Sequence, residues 1–446
     1  GEVVRSRFVY VADGLIGVPA WQVRFLQPLP LSSWIVEVDA RDGSVLASDD
    51  LAHAATAKAN VWTNPIRVSG NVDLRDNPFG IGSDPTGLTG ADDLSKYYQE
   101  VTLLDLTDAG GASKLVGPYV TIVDSAAAGL EYKFGREDPR FEEAMAYYWV
   151  DFSQRNIREL GFKNINDYSI PVFAHDQPTV VNAFYLHGLP EEDGTGSIHF
   201  GYHGVNRNRG AQGFADAAED AEVIVHEFGH SVLNNQVPGF GRGVEGGAMH
   251  EGWGDFWAAS EVSRVNGEKL MWCTAPWMTQ YIKDADAPGE PPCLRKLEND
   301  FKADFKDREV HGLGQVWSGA LWNVRKTMPS NTEMERLILE AHFLMPQSGK
   351  FAEGAEALLV ADLSLHGAAH ASAILDVFGA RDIGDLALTD DLLTAMSAQA
   401  KASGTTGLAP IPNAGANATP GIEIAILVGI LAIAAHAQTR RRGGAL

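Results

Sequence analysis

The sequence predicts an α+β protein in which strands come first and helices later. Three observations carry this. Residues 1–125 are mostly short apolar runs such as RFVYVADG, AWQVRFLQ, SSWIVEVDA and GPYVTIVDS, separated by Asp, Gly and Pro, which is the pattern of strands and turns. Between residues 141 and 160 apolar residues recur every three or four positions, and Gly161 follows as a stop, so a long helix is expected there. Beyond residue 213 nearly every apolar segment has helical spacing.

Element by element, residues 1–50 read as a small β-rich unit closed by the turn of DARDGSVL, and residues 59–125 as further short strands. Strand candidates YSIPVFAHD, NAFYLHG and SIHFGYHG follow the first helix. A second helix starts near Phe214 and carries AEVIVHEFGH; further helices are expected over 249–260, 313–327, 331–344, 351–365 and 369–378. A chain of 446 residues exceeds one ordinary domain, so two or more packed units are expected.

Acidic residues outnumber basic ones by 58 to 35, a net charge of -23. No basic tract occurs in the globular part, which argues against nucleic acid as a partner. The acid is spread along the chain, as on a solvated surface; selection for basic substrates would need an acidic cleft. GEVVRSRF lacks the apolar core of a signal peptide, so export would be specified upstream. The only cysteines, Cys273 and Cys293, flank a segment that is rich in loop formers towards its second half. In an exported protein they would close a disulfide; otherwise they would be unpaired core thiols.

The C-terminus is different in kind. KASGTTGLAPIPNAGANATPG, residues 401–421, reads as a flexible linker, with a possible glycosylation acceptor at Asn417 and Thr419. Residues 422–437 are apolar and lead into QTRRRGG. That run is shorter than the roughly 20 residues of a membrane helix, but its polar linker and flanking arginines favour membrane contact. The expectation is a membrane or sorting helix at 422–438 with a basic cytoplasmic tail at 439–446; a buried C-terminal helix would suit the length equally well.

The chemistry concentrates in two stretches. AEVIVHEFGH occupies 221–230 and EGWGD occupies 251–255. Helical residues four apart share a face, so His226 and His230 can point at one ion, while Glu227 stands beside His226 and can address water bound to it. A catalytic zinc takes three protein ligands and a water. Glu251 is the natural third ligand, and Asp255, one turn on, can hold a ligand histidine through its outward nitrogen.

HExxH with a downstream ExxxD resembles the thermolysin-like metallopeptidases, and the chain is most similar to their fungalysin branch. FGREDPRFEEAMAYYWVDFSQRNIRELGF, NAFYLHG, IHFGYHG, EVIVHEFGHSV, MHEGWGDFWA and VHGLGQVWSGALW carry the resemblance from about residue 60 to about residue 385. It implies a thermolysin-like two-lobed metallopeptidase, with a β-rich N-terminal lobe, a mainly helical C-terminal lobe and zinc between them. The implied catalytic lobes are 59–235, ending in the HExxH helix, and 236–400. It further implies a zinc endopeptidase acting on proteins or peptides, with Glu227 as general base and His311 as oxyanion donor; Asp307, nearby in sequence, is either the residue that orients His311 or a solvated carboxylate. Asn182 and its neighbour Ala183 would bind the substrate backbone, and Arg295 would correspond to an arginine that contacts a substrate carbonyl. No tyrosine lies between His230 and Glu251, so the tyrosine that assists in thermolysin has no counterpart.

His199 and His203 also lie four apart, but in a strand-rich setting, and are read as non-ligands. Calcium, for which Asp216 and Asp220 are candidates, is an expectation of the resemblance alone. Residues 1–58 resemble the end of a fungalysin-like propeptide, which would inhibit the peptidase until released. The tail resembles archaeal-type surface-sorting signals, implying a membrane or lipid anchor and a cell-surface location. The rival functions are a zinc exopeptidase and a non-catalytic scaffold on a peptidase fold.

Overall fold

The computed structural model describes residues 2–383 apart from 14–15, 29–30, 51–53, 64–97, 109–112, 124, 126–130, 137, 179–181, 189–194, 203–215, 268–271, 280–292 and 305–308. Strands β1 (Glu2–Asp13), β2 (Ile16–Pro28), β3 (Leu31–Asp39) and β4 (Val45–Asp50) form an antiparallel meander. A second sheet has the order β7 (Ser113–Lys114), β6 (Gln99–Asp108), β5 (Ala54–Val61), β9 (Glu131–Tyr132). The third sheet has the order β11 (Ala183–Leu186), β12 (Ser197–Tyr202), β10 (Ile170–Pro178), β8 (Val120–Ile122). β10 runs parallel to both its neighbours, whereas β11 is antiparallel to β12 and forms the edge. β5 continues through Lys58, which pairs with Thr102, so the boundary placed after residue 58 falls inside a strand.

Helix α1 (Pro139–Glu159) braces these sheets. Asp138 caps it by accepting the Arg140 N–H at 3.0 Å, and Pro139 occupies a first-turn position where its missing N–H costs nothing. Phe141, Met145 and Trp149 recur every fourth residue and are fully buried; each contributes about 1.5–3 kcal/mol of apolar burial. The polar edge is used as well: the Tyr147 hydroxyl donates to Leu104 O at 2.7 Å and the Trp149 indole to Trp62 O at 3.1 Å. The helix ends at Gly161, whose φ of 106° suits glycine.

The rest is mainly helical: α2 (Ala221–Gln236), α3 (Gly243–Asn266), the single turn α4 (Pro276–Thr279), α5 (Val310–Arg325), α6 (Asn331–His342), α7 (Phe351–His366) and α8 (Ala371–Ala380). A two-stranded ribbon of β13 (Cys273–Thr274) and β14 (Arg295–Lys296) sits among them. The architecture is two-lobed, β-rich at the N-terminal side and mainly helical at the C-terminal side, with a metal-capable His/Glu/His triad near the junction. α2 starts at Ala221, after a 3-10 turn at Ala217–Glu219, because Asp220 caps it by accepting the Glu222 N–H at 3.0 Å. α3 starts six residues before the expected 249. Its glycines discourage a helical reading, yet packing requires one of them: a Cβ on Gly247 would come within 2.9 Å of Val310.

Two expectations are corrected. Among the described residues no helix is long and apolar enough to cross a membrane, and the membrane-helix and anchor expectation rested on residues 422–438, which lie outside them. That apolar run is shorter than the roughly 20 residues a bilayer requires, and the membrane or lipid anchor is withdrawn with it. The inhibitory propeptide role of residues 1–58 is withdrawn too: the cleft is lined by residues from Asn182 to His311, and none belongs to the β1–β4 meander. The linker 401–421, the tail 439–446, His203 and Asp307 also lie outside the described residues.

Cys273 and Cys293 form a disulfide across a sequence separation of 20, holding the β13–β14 ribbon. Closing a loop of that length restricts the unfolded chain by about 3 kcal/mol. The C273S/C293S variant is therefore expected to lose stability of that order in a chemical denaturation series. A loss indistinguishable from zero would show that the ribbon is held by its neighbours alone.

Candidate active site and metal centre

The site is built where α2 crosses α3. A Cβ on Gly229 would lie 3.3 Å from the Gly254 Cα, so the two backbones approach closely there. The Trp253 indole on α3 donates to Gly229 O on α2 at 2.8 Å and fixes the crossing. On the far side, a Cβ on Gly252 would come within 2.4 Å of Gly314 O, so α5 lies equally close against α3. α2 is held at its start as well: Asp220 accepts the Met278 N–H at 3.0 Å and Glu222 accepts the Ala275 N–H at 2.6 Å.

The crossing brings together His226 and His230 of α2 and Glu251 of α3. Glu251 Oε2 lies 3.3 Å from His226 Nε2, and Oε1 lies 3.6 Å from His230 Nε2. Metal bonds of ~2.1 Å in a tetrahedral set place ligand atoms roughly 3.4 Å apart, so these separations fit a zinc ion. His226, Glu227 and His230 also bring one donor atom each within 4.8 Å of one another. Glu251 is the better third ligand, because its two oxygens address both imidazoles directly. Glu227 is buried beside them, and its Oε2 has no hydrogen-bond partner. Burial pushes the Glu227 carboxyl up to about 7, with Glu251 adding to the rise and His226 opposing it.

Both imidazoles are gripped from behind. His226 Nδ1 lies 3.0 Å from Asp255 Oδ1, and a Cβ on Gly254 would come within 2.7 Å of that nitrogen, so only glycine leaves the ring its place. Burial lowers the His226 pKa, but Asp255 and Glu251 outweigh it and raise it to about 10. Asp255 is held in turn by Arg295, whose Nε and Nη2 donate to its two oxygens at 2.6 Å each. Burial would raise the Asp255 carboxyl, yet Arg295 and His226 hold it below the usual carboxylate range. His230 Nδ1 lies 2.6 Å from His250 Nδ1, and burial pushes both rings down, His250 to about 4. A ring that offers Nε2 to a metal carries its proton on Nδ1, so with an ion bound at Nε2 His230 would donate and His250 would accept.

The remaining candidates line the same cleft, about 420 Å³ in volume. Asn182 and Ala183 stand on or beside the edge strand β11, and Asn182 is exposed to the cleft. His311, in the first turn of α5, is half exposed with Nε2 3.4 Å from Glu251 Oε2. Its Nδ1 lies 2.5 Å from Glu309 Oε1, and Glu309 also caps α5 by accepting the His311 and Gly312 N–H groups. Glu309 is thus placed to orient the ring among the described residues; Asp307, the sequence candidate for that role, lies outside them. Arg295 lines the cleft while its guanidinium is engaged by Asp255. His199 stacks between Phe173 and Phe184 on the third sheet and lies outside the cluster. For calcium, Asp220 has both oxygens engaged by backbone N–H groups. In the buried cluster of Glu142, Asp216 and Glu219, Glu219 is paired with Arg136 and Glu142 with His175; the residues give calcium no support.

His250 and Glu309 escaped the sequence reading. The available signal was proximity: His250 immediately precedes Glu251, and Glu309 lies two residues before His311.

With this geometry in hand, comparison with known proteins is decisive: residues 152–387 match the profile of the fungalysin metallopeptidases, peptidase family M36. The chain belongs to that family. It is 26% identical over 197 residues to "Extracellular metalloproteinase 2" of Arthroderma otae, covering 38% of this chain and 31% of that protein. It is 25% identical over 205 residues to "Extracellular metalloproteinase 10" of Coccidioides posadasii, with the same coverage. To "Extracellular metalloproteinase MEP" of Pyricularia oryzae it is 24% identical over 196 residues, again covering 38% and 31%. The matched stretch thus spans under a third of each of these fungalysin relatives.

The His230–His250 contact generates a test. A partner behind a metal-ligating histidine is worth about 10–100-fold in metal affinity. H250A is expected to bind zinc weaker by that factor in a chelator competition, and H250N, which restores an acceptor oxygen, to recover most of it. Equal zinc affinity in wild type and H250A would remove His250 from the site.

Proposed function

We propose that the chain is an extracellular zinc endopeptidase that hydrolyses peptide bonds in proteins. The observation that carries the proposal is the approach of Glu251 to both His226 and His230 at zinc-ligand spacing, with the buried Glu227 carboxylate beside them. His226, His230 and Glu251 would hold the ion, and two nitrogens with one carboxylate oxygen is a donor set suited to catalytic zinc. Zinc there supplies a Lewis acid for the scissile carbonyl and lowers the pKa of a water.

The protein groups divide the remaining work. Glu227 takes a proton from the attacking water and delivers it to the departing amine nitrogen; its raised pKa suits a group that must both accept and release. His311, oriented by Glu309, donates to the oxygen that gains negative charge in the tetrahedral transition state. Asp255 and Arg295 keep His226 turned towards the ion, as His250 does for His230. β11 has a free edge beside Asn182 among the described residues, so an extended peptide can pair with it as an added strand. The disulfide suits an oxidising, extracellular setting, and the relatives are themselves named extracellular.

The test is an internally quenched peptide library digested by the zinc-loaded protein and by E227Q. Wild type is expected to cut internal bonds. E227Q is expected to retain zinc and lose about 10²–10⁴-fold in rate, the range of general acid–base catalysis. Removal of terminal residues only would indicate an exopeptidase, and cleavage by E227Q at the wild-type rate would refute the assigned base.

A further inference from the structure

A second cluster of metal-binding residue types lies in the helical lobe, away from the cleft lining. Asp362, His366 and His370 follow one another at intervals of four, in the stretch DLSLHGAAH. Asp362 and His366 share a face of α7, and an unbroken helix would carry His370 on along it. The helix instead stops after His366. Gly367 and Ala368 both adopt left-handed backbone, with φ of 62° and 65°, and the chain folds back before α8. A left-handed non-glycine residue costs roughly 1–2 kcal/mol, so the Ala368 turn is maintained against a local preference. Its result is that His370 returns to Asp362.

The three side chains converge. Asp362 is fully buried, and its Oδ1 lies 3.0 Å from His366 Nδ1 and 2.8 Å from His370 Nδ1. Its Oδ2 accepts the His370 backbone N–H at 2.8 Å, which fixes the carboxylate plane. The two imidazoles stand nearly perpendicular, with centroids 4.9 Å apart and side-chain exposures of 19% and 14%, so the site is reachable from solvent. One donor atom from each residue lies within 4.8 Å of the other two. Tetrahedral zinc bonds of ~2.1 Å need ligand separations of roughly 3.4 Å, so the rings have to move back from the carboxylate by about half an ångström.

We propose that Asp362, His366 and His370 form a second divalent-metal site, filled by zinc, that staples the end of α7 to the start of α8. Two imidazole nitrogens and one carboxylate oxygen favour zinc over calcium or magnesium, which take oxygen ligands. On binding, the ion replaces the two Nδ1–H···Oδ1 hydrogen bonds, and each ring carries its proton on Nε2. The ion's place is structural. α8 packs against both α7 and α5, and α5 carries His311, so the staple fixes the helix layer behind one wall of the cleft.

The experiment compares the full chain with H366Q/H370Q, whose amides can still donate to Asp362. Each is equilibrated with micromolar free zinc, and bound metal per chain is counted by mass spectrometry. Wild type is expected to hold one equivalent more than the double variant, and zinc to raise its melting temperature further. The readout is the difference between the two chains, so it stands whatever the cleft binds. Should the double variant unfold, H366Q and H370Q singly are each expected to weaken that equivalent by at least ~10-fold. Equal metal content, or single variants that bind as wild type does, would show that the cluster is a hydrogen-bonded latch and overturn the proposal.

Discussion

The close crossing of α2 over α3 is the constraint on which the site depends. Three of the separations that matter are set there: Glu251 to each of two imidazoles, and Asp255 to the back of His226. Glycine is needed at 254, where a side chain would strike His226, and glycine at 229 keeps the two backbones close, since a Cβ there would lie 3.3 Å from the Gly254 Cα. The Trp253 indole bonded across the crossing makes the approach specific as well as close. Helix geometry then supplies the rest without further adjustment: residues four apart on α2 face one candidate metal position, and residues four apart on α3 offer a candidate ligand and a carboxylate behind His226.

A second consequence is electrical. The crossing buries His226, Glu227, His230 and Asp255 together, with the half-buried Arg295 against Asp255, and buried charges persist only when paired. Asp255 resolves this by accepting from Arg295 on one side and His226 on the other. The two histidines are thereby made unequal. His226 is backed by a carboxylate in a bidentate ion pair, and His230 by a neutral imidazole. Glu227 is the group not drawn into this pairing, and a carboxylate beside the ion with an open oxygen is what water activation requires.

Much of this was legible in the sequence, for definite physical reasons. HExxH and the downstream ExxxD declare themselves because helical periodicity converts spacing directly into a shared face, and the apolar spacing from Phe141 with the Gly161 stop marks α1 by local chemistry alone. What could not be read depends on tertiary contact. The start of α3 was hidden because Gly246 and Gly247 disfavour a helix locally and are accommodated only by packing against Gly241 and Val310. His250 carries no motif, and its partnership with His230 exists only once α2 and α3 cross. Glu309 bonds the His311 ring and caps α5, a pairing that appears only once the start of α5 is folded, while Asp307 lies outside the described residues. The apolar run near the C-terminus misled in the opposite direction, since hydropathy and flanking arginines state what a segment tolerates and not where it lies.

On this geometry the ion would be held by His226, His230 and Glu251 while Glu227 stays free to move a proton. That assignment is tested most directly by anomalous diffraction at the zinc edge from crystals of the zinc-loaded protein. A peak is expected within bonding distance, about 2.0–2.2 Å, of both Nε2 atoms and of a Glu251 oxygen, with Glu227 beyond bonding reach. A peak ligated by Glu227 in place of Glu251, or none between the two histidines, would contradict it.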